Sequence, residues 1–409
     1  MQNANLRPNT YMESGMKKNI QTLLYAALLM VLLTGCVSCD TSVTKANVPK
    51  NPASLAIMTW NVQALFDGTD HGIEYDEYRA SAGWTQEKYK GRLNIIAAAI
   101  GGLERKPDII ALQELESAMV AIDLAVVLSK HGYGWTYFAN IPGMALGVGL
   151  LSRFPFTETR THSVYIDGEI APRPMLEAKI ITPNAAADKA ASENGDNSLL
   201  LFVCHWKSKL GGDDATESTR RASARIILRR LRELAETEPD LPVVIMGDLN
   251  ENHDDFYRRG GKVISALIPD DPRAAEIAET QKDFLIVVKN KPPVARYFPS
   301  GVITLYSPWF AELRNENEDS SGSYYYKNKW ETIDHFLLSP QFFNGTGWDF
   351  ENARILNFPP FTSAKGTPVA YNPRTGSGLS DHLPLLLIIR NKGGAFRTNS
   401  FLTSITSTP

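Results

Sequence analysis

The 409-residue chain reads as an α/β protein in which helices cover two mixed β-sheets. Strand and helix patterns alternate in its first half, strand pairs lie between them, and short apolar strands recur towards the end. Six strand boundaries carry Asn, Glu, His or Asp: Thr59-Trp60-Asn61-Val62, Leu112-Gln113-Glu114, Cys204-His205-Trp206-Lys207-Ser208, Gly247-Asp248-Leu249-Asn250, Ile333-Asp334-His335 and Ser380-Asp381-His382. Sheets gather binding groups at strand ends, where loops hold polar side chains over a packed core. Repeating carboxylates, carboxamides and imidazoles there points to one hard-metal site.

The first strand is Leu55 to Trp60. Gln86 to Leu103 sets Leu93, Ile96, Ala97 and Ile100 at helical spacing, and Pro107 resets the chain for a strand over Asp108 to Leu112. Ser117 to Lys130 reads as a second helix. Trp135 to Ala139 and Gly147 to Leu151 are strands flanking the Pro142-Gly143 turn. Leu176 to Ile181 and Leu199 to Cys204 form another pair, joined by Thr182 to Ser198, whose Ala, Asn, Asp and Gly suggest mobility. Thr216 to Glu236 carries one apolar stripe of Ala224, Ile227, Leu228, Leu231, Leu234 and Ala235. Pro242 precedes the strand Val243 to Met246. Asp270 to Ser323 is irregular, with aromatic and acidic patches, while Ile333 to Leu338 and Leu385 to Ile389 suit a buried sheet.

Both ends lie outside this pattern. Lys17 and Lys18 precede the uncharged stretch Ile20 to Leu33, which runs into Leu33-Thr34-Gly35-Cys36. A basic region, an apolar run and small residues at a cut site make an export signal of residues 1–35, with Met16 as an alternative start. The Leu-Thr-Gly-Cys end resembles the lipobox of bacterial lipoproteins, implying lipidation of Cys36; the alternative is a plain secretory signal with an incidental cysteine. Residues 36–53 read as a flexible tether, 54–392 as the catalytic domain and 393–409 as a polar tail. The expected location is the bacterial cell envelope, with a lipid-anchored domain facing away from the cytoplasm.

Apolar content of 43% and charged content of 21% are those of an ordinary globular protein. Cleavage after residue 35 removes Arg7, Lys17, Lys18 and Glu13, taking the net charge from −3 to −5. That balance argues against tight, non-specific grip on nucleic acid. Cys39 sits in the tether and Cys204 in an apolar strand, so no disulfide framework is expected and Cys204 reads as a buried, inert thiol.

Individually the polar strand ends are ambiguous. Asp248 and Asn250 project to one side with period two after Gly247, suiting a carboxylate that holds water and a carboxamide that meets a phosphate oxygen, or a simple turn. His382 beside Asp381 suits acid–base work, or a surface loop. Glu114 suits a Mg²⁺ ligand, or solvent. Tyr306, Trp309, Tyr324, Tyr325, Tyr326 and Trp330 cluster before Asp334 and suit base stacking, a lipid groove or the core. Arg220 and Arg221 suit phosphate contact, or a solvated helix face.

Taken together and in this order, these segments resemble the endonuclease/exonuclease/phosphatase family, whose members look like deoxyribonuclease I, over about Leu55 to Arg390. The resemblance implies a four-layer α/β sandwich with its site at one end. It implies Glu114 as main metal ligand, with Asn61 beside it and Asp381 near the metal. Asp248 would orient the attacking water, Asn250 contact phosphate, and His382 bond the scissile phosphate with Asp334 as its orienting carboxylate. His205 matches a second family histidine, and Arg173 in Pro172-Arg173-Pro174 a phosphate contact. Arg220, Trp309 and Tyr326 are further candidates for substrate contact. The chain has no Cys/His zinc spacing, no P-loop and no Gly-x-Ser-x-Gly elbow.

The expectation is a monomeric, lipid-anchored phosphodiesterase using Mg²⁺, with Mn²⁺ or Ca²⁺ as substitutes, and acting first on DNA. Lipid or small-molecule phosphoesters (sphingomyelin, phosphoinositides, nucleotides) are the alternative substrates. A non-catalytic surface binding protein on the same fold is the competing class.

Overall fold

Fourteen chain-ordered strands in two large sheets carry the architecture of the computed structural model, which describes residues 52–182, 197–270, 276, 282–290, 302–311, 313 and 322–392. The export signal, Cys36, the tether to residue 51, most of the 182–198 connector and the 393–409 tail lie outside these residues. The elements are β1 (Ser54–Leu65), α1 (Gln86–Gly101), β2 (Ile109–Leu115), α2 (Ala118–Val127), β3 (Trp135–Ala139), β4 (Gly147–Ser152), β5 (Phe156–His162), the two-residue pair β6 (Tyr165–Ile166) and β7 (Glu169–Ile170), β8 (Met175–Ile181) and β9 (Ser198–His205). Then come α3 (Asp213–Thr237), β10 (Val243–Asp248), the single turn α4 (Asp255–Arg258), β11 (Leu267–Pro269), β12 (Leu285–Val288) and β13 (Thr304–Tyr306). The chain closes with the hairpin β14 (Tyr324–Tyr326) and β15 (Lys329–Glu331), then β16 (Asp334–Leu338), β17 (Trp348–Ile355) and β18 (Leu385–Asn391).

One sheet has the order β17-β18-β1-β2-β4-β3 and the other β11-β12-β13-β16-β10-β9-β8-β5. Both are mixed: β1 runs parallel to β2 and antiparallel to β18, and β10 runs parallel to β9 and antiparallel to β16. Strand period two sorts the apolar residues into layers. Leu55 and Ile57 of β1, Leu199, Leu201 and Val203 of β9, and Val244 and Met246 of β10 share the core between the sheets. Their neighbours Met58 and Trp60 face outward with α1 and α2, while Leu200, Phe202, Val243 and Ile245 face outward with α3. The result is the expected four-layer sandwich, with helices outside two packed sheets.

Helix boundaries follow capping chemistry. Thr85 accepts from Lys88 N and Ser117 from Val120 N at the starts of α1 and α2, satisfying donors a helix leaves orphaned. The strands β5 and β17 were not expected. Both are edge strands with partly exposed side chains, so Thr157, Glu158 and Glu351 dilute the apolar signal. Cys204 is buried and free, as expected, and burial pushes its thiol up. Among the described residues no helix is long and apolar enough to cross a membrane.

Candidate active site

The same parity that fills the inter-sheet core delivers the polar residues to one end of it. Asn61 continues the Leu55, Ile57 face of β1; His205 continues Leu201 and Val203; Asp248 continues Val244 and Met246; Asp334 lies on the Phe336, Leu338 face of β16. Registry aligns them, since Asp248 pairs with His205 on one side and with Asp334 on the other. Gly247 is required just before this point: at φ +131°, an added Cβ would lie 2.0 Å from Cys204 O.

Glu114 has the wrong parity for this face, because Ile110 and Leu112 point to the outer layer. A register irregularity between Gln113 and Leu115 and a φ of 68° at Glu114 re-aim it, as bulges beside functional sites do. Its Oε1 accepts from Asn61 Nδ2 at 3.1 Å and its Oε2 from Ala64 N at 2.7 Å. The same Asn61 Nδ2 lies 3.1 Å from Asp248 Oδ2, so one carboxamide ties the two sheets together across the site. Asn61 Oδ1 accepts from Gln63 N at 3.0 Å.

His382 Nδ1 bonds Asp334 Oδ2 at 2.8 Å, and its Nε2 lies 3.9 Å from Asp248 Oδ2. Asp248 Oδ1 accepts from Asn250 N at 2.9 Å, and Asn250 Nδ2 donates to Trp206 O at 3.1 Å, with Asn250 itself at φ 50°. His205 Nε2 lies 3.5 Å from Asp248 Oδ2 and 3.8 Å from Glu114 Oε1. Arg173 Nη1 donates to His205 Nε2 and, at 3.0 Å, to Trp206 O. Asn61, Glu114, Arg173, His205, Asp248, Asn250, Asp334 and His382 therefore form one connected constellation.

The two imidazoles are driven apart. Although burial opposes it, the Asp334 carboxylate, with Asp381 and Asp248, lifts His382 to about 10, so it is an imidazolium at neutral pH. Burial and the positive charges of Arg173 and His382 hold His205 well below its ordinary value, so it stays neutral and accepts from Arg173. Burial and Asp334 push the Asp248 carboxyl up, against the pull of His382, Arg173 and Asn61. Burial also raises Asp381, with Glu114 adding to it. Pairs of groups with separated proton affinities are how a site assigns its acid and its base.

Two groups among the described residues bring three carboxylate or imidazole ligand atoms within 4.8 Å of one another. Asp248, Asp334 and His382 form the first, a buried proton-holding trio rather than the expected ligand set of Asn61, Glu114 and Asp381. Asp67, His71 and Glu116 form the second, just after β1, where Glu116 Oε2 accepts from Asp67 N and Oε1 faces His71 Nδ1 at 3.2 Å. In the expected set the Glu114 charge raises Asp381's cost of ionisation, and oxygen donors of this kind suit a hard divalent ion.

Two expected substrate contacts are corrected. Trp309 is 1% exposed and donates Nε1 to Asp334 O at 2.8 Å, so it supports the site from the core and cannot touch substrate. Arg220 is fully buried, with Nε on Glu251 Oε2 and Nη2 on Glu217 Oε2 at 2.9 Å; its charge is already spent on two carboxylates. Tyr326 is 52% exposed and remains free to meet a ligand.

Other residues that build the site carry no catalytic look in sequence. Arg92 is buried and donates to Val62 O, Gln63 O and Ala64 O while its guanidinium stacks 3.8 Å from the Tyr371 ring centre. It thereby holds Gln63 and Ala64 at φ 57° and 52°, which aims Ala64 N at Glu114. Gln63 Oε1 in turn accepts from Asp381 N at 3.1 Å and Tyr371 N at 2.7 Å. Ser380 Oγ donates to Asn61 O at 2.6 Å, joining the last segment to the first. Gln63 and Ser380 stand beside polar strand ends in sequence, whereas Arg92, in the middle of α1, carries no such signal.

The Endonuclease/Exonuclease/phosphatase family model matches residues 58–382. No curated protein matches the chain. Similar solved structures include an endonuclease/exonuclease/phosphatase family protein from Bacteroides thetaiotaomicron, 14% identical over 83% of this chain and 99% of that one, with a TM-score of 0.46. The human Nocturnin catalytic domain with bound sulfate is 15% identical over 84% of this chain and 95% of that one, with a TM-score of 0.46. A mannosyl-6-phosphatase from Bacteroides thetaiotaomicron is 15% identical over 82% and 99%, with a TM-score of 0.45.

Proposed function

The chain belongs to the endonuclease/exonuclease/phosphatase family, and we propose that within it the protein is a Mg²⁺-dependent phosphodiesterase acting on DNA, anchored by lipid at Cys36 in the bacterial cell envelope and facing away from the cytoplasm. One observation carries the chemistry: the imidazoles of His205 and His382 flank the same Asp248 carboxylate, with Nε2 at 3.5 and 3.9 Å from its Oδ2. Diester hydrolysis needs an attacking water held in line, neutralised phosphate oxygens and a proton for the leaving oxygen. Asp248 orients the water, its Oδ1 fixed by Asn250 N and its Oδ2 by Asn61. His382 holds its proton on Nε2 and donates it towards the phosphate, because Asp334 keeps Nδ1 engaged. Arg173 faces the same space with a charge that meets phosphate oxygens. Glu114 and Asp381, with Asn61 beside them, would hold the divalent cation, which supplies charge neutralisation at the phosphate.

Export permits scavenging of DNA or attack on nucleotides and lipid phosphoesters, and DNA is the first choice among them. A panel of linear and plasmid DNA, RNA, sphingomyelin, phosphoinositides, nucleotides and a chromogenic diester, each with Mg²⁺ and with EDTA, tests it. DNA cleavage that EDTA abolishes is expected. Cleavage of a lipid or small phosphoester without DNA cleavage overturns the substrate, and no hydrolysis of any kind supports the binding-protein reading.

A further inference from the structure

We propose that Tyr324 and Tyr326 form a stacking platform for a nucleobase next to the scissile phosphate, an inference that rests on the nuclease reading and specifies how the strand is held. The structure sorts the aromatic cluster that precedes Asp334. Tyr306 and Trp309 are each 1% exposed and belong to the core. Trp330 packs against the outer core, and Tyr325 tilts onto it with ring centres 5.1 Å apart. Tyr324 and Tyr326 remain.

They are two residues apart on β14, so their rings emerge on one face. A backbone bridge pairs Tyr324 with His382, and the Tyr324 ring lies on the imidazole with centres 4.5 Å apart and planes at 27°. The Tyr326 ring follows at 6.0 Å and 14°, half exposed. A column of near-parallel rings thus leads from the proton-donating imidazole to solvent. The β14–β15 turn that carries it is tight, with Lys327 and Asn328 both at positive φ, a geometry that matches strand twist and fixes the hairpin. Lys327 Nζ lies over the Tyr326 ring, 5.1 Å from its centre, on a flexible side chain that brings a positive charge to the platform.

Core packing does not account for Tyr326, which is half exposed. A flat ring beside a cation, in line with the catalytic imidazole, matches a ligand that alternates phosphate charge with planar faces. Stacking is indifferent to base identity, because every base has a π-face. The platform therefore predicts a preference for bases over bare backbone without a strong sequence preference.

The test compares kcat/KM, with Mg²⁺, on a base-bearing single strand and on an abasic strand of equal length and charge. Wild type is expected to favour the base-bearing strand by about fivefold or more, the span that one stacked base contributes. Tyr326→Ala should collapse that ratio towards one, and Tyr326→Phe should keep it. A ratio unchanged in Tyr326→Ala overturns the platform while leaving the nuclease reading intact. Wild type that cleaves neither strand nor duplex DNA overturns the nuclease reading, and the nucleobase assignment with it.

Discussion

Asp334→Asn should move the alkaline limb of the pH–rate profile. The change keeps the shape of the side chain and an oxygen for His382 Nδ1, but removes the charge 2.8 Å from that nitrogen. Asp334 is the largest influence raising His382, which stands at about 10 although burial opposes it. Loss of an adjacent opposite charge lowers an imidazole by ~1–3 units, to roughly 7–9 here. A fall of ~2 units is about 3 kcal/mol and leaves roughly a tenth of the imidazoles protonated near pH 9. The assay is kcat/KM on a chromogenic diester from about pH 6 to 10, in saturating Mg²⁺. Wild type should hold its rate to high pH, whereas Asp334→Asn should lose it progressively from about neutrality, roughly tenfold near pH 9. The same shift bears on stability. A raised histidine contributes stability that is complete below its unfolded value of 6.5 and lost as pH rises through about 10, so the variant should keep only the lower part of that slope. A uniform drop in rate with an unmoved alkaline limb would refute the role given to Asp334.

Three further outcomes are expected. Arg92→Lys retains charge but cannot bridge three carbonyls, so the Mg²⁺ concentration for half-maximal rate should rise ~10–100-fold, measured by metal titration, as for other supports of metal ligands. Arg220→Met strips the buried Glu251 of its cation and should cost about 3–5 kcal/mol in denaturant melts. Cys36→Ser should release the protein into soluble extracytoplasmic fractions, since stable anchoring needs the acyl chains; unchanged membrane fractionation would contradict lipidation.

Asn61, His205, Asp248 and Asp334 were legible because period two carries the pattern of a buried strand straight into the polar residue that ends it. Glu114 was legible by type but not by direction, since only the bulge turns it inward. Arg92 and Gln63 were not legible, because their task is to hold backbone groups, and any buried arginine or half-buried glutamine reads alike in sequence. Arg220 and Trp309 misled for the complementary reason. Glu217 stands one helical turn before Arg220, but Glu251 and Asp334 O are brought to Arg220 and Trp309 only by the fold. The inner strands β1, β9, β10 and β18 announced themselves by continuous apolar runs, while β5 and β17 at the sheet edges did not, nor did the short inner strands β12 and β13 within the stretch that reads as irregular.

The central claim is that Glu114 serves a cation while Asp248 serves the water. Turnover of the diester against Mg²⁺ concentration, in Glu114→Gln and Asp248→Asn side by side, tests it most directly. Both should fall, by ~10²–10⁴-fold for the loss of a water-orienting group. Excess Mg²⁺ should restore part of the Glu114→Gln rate by mass action and almost none of the Asp248→Asn rate. Equal rescue of the two variants, or wild-type turnover undiminished in EDTA, would contradict the assignment.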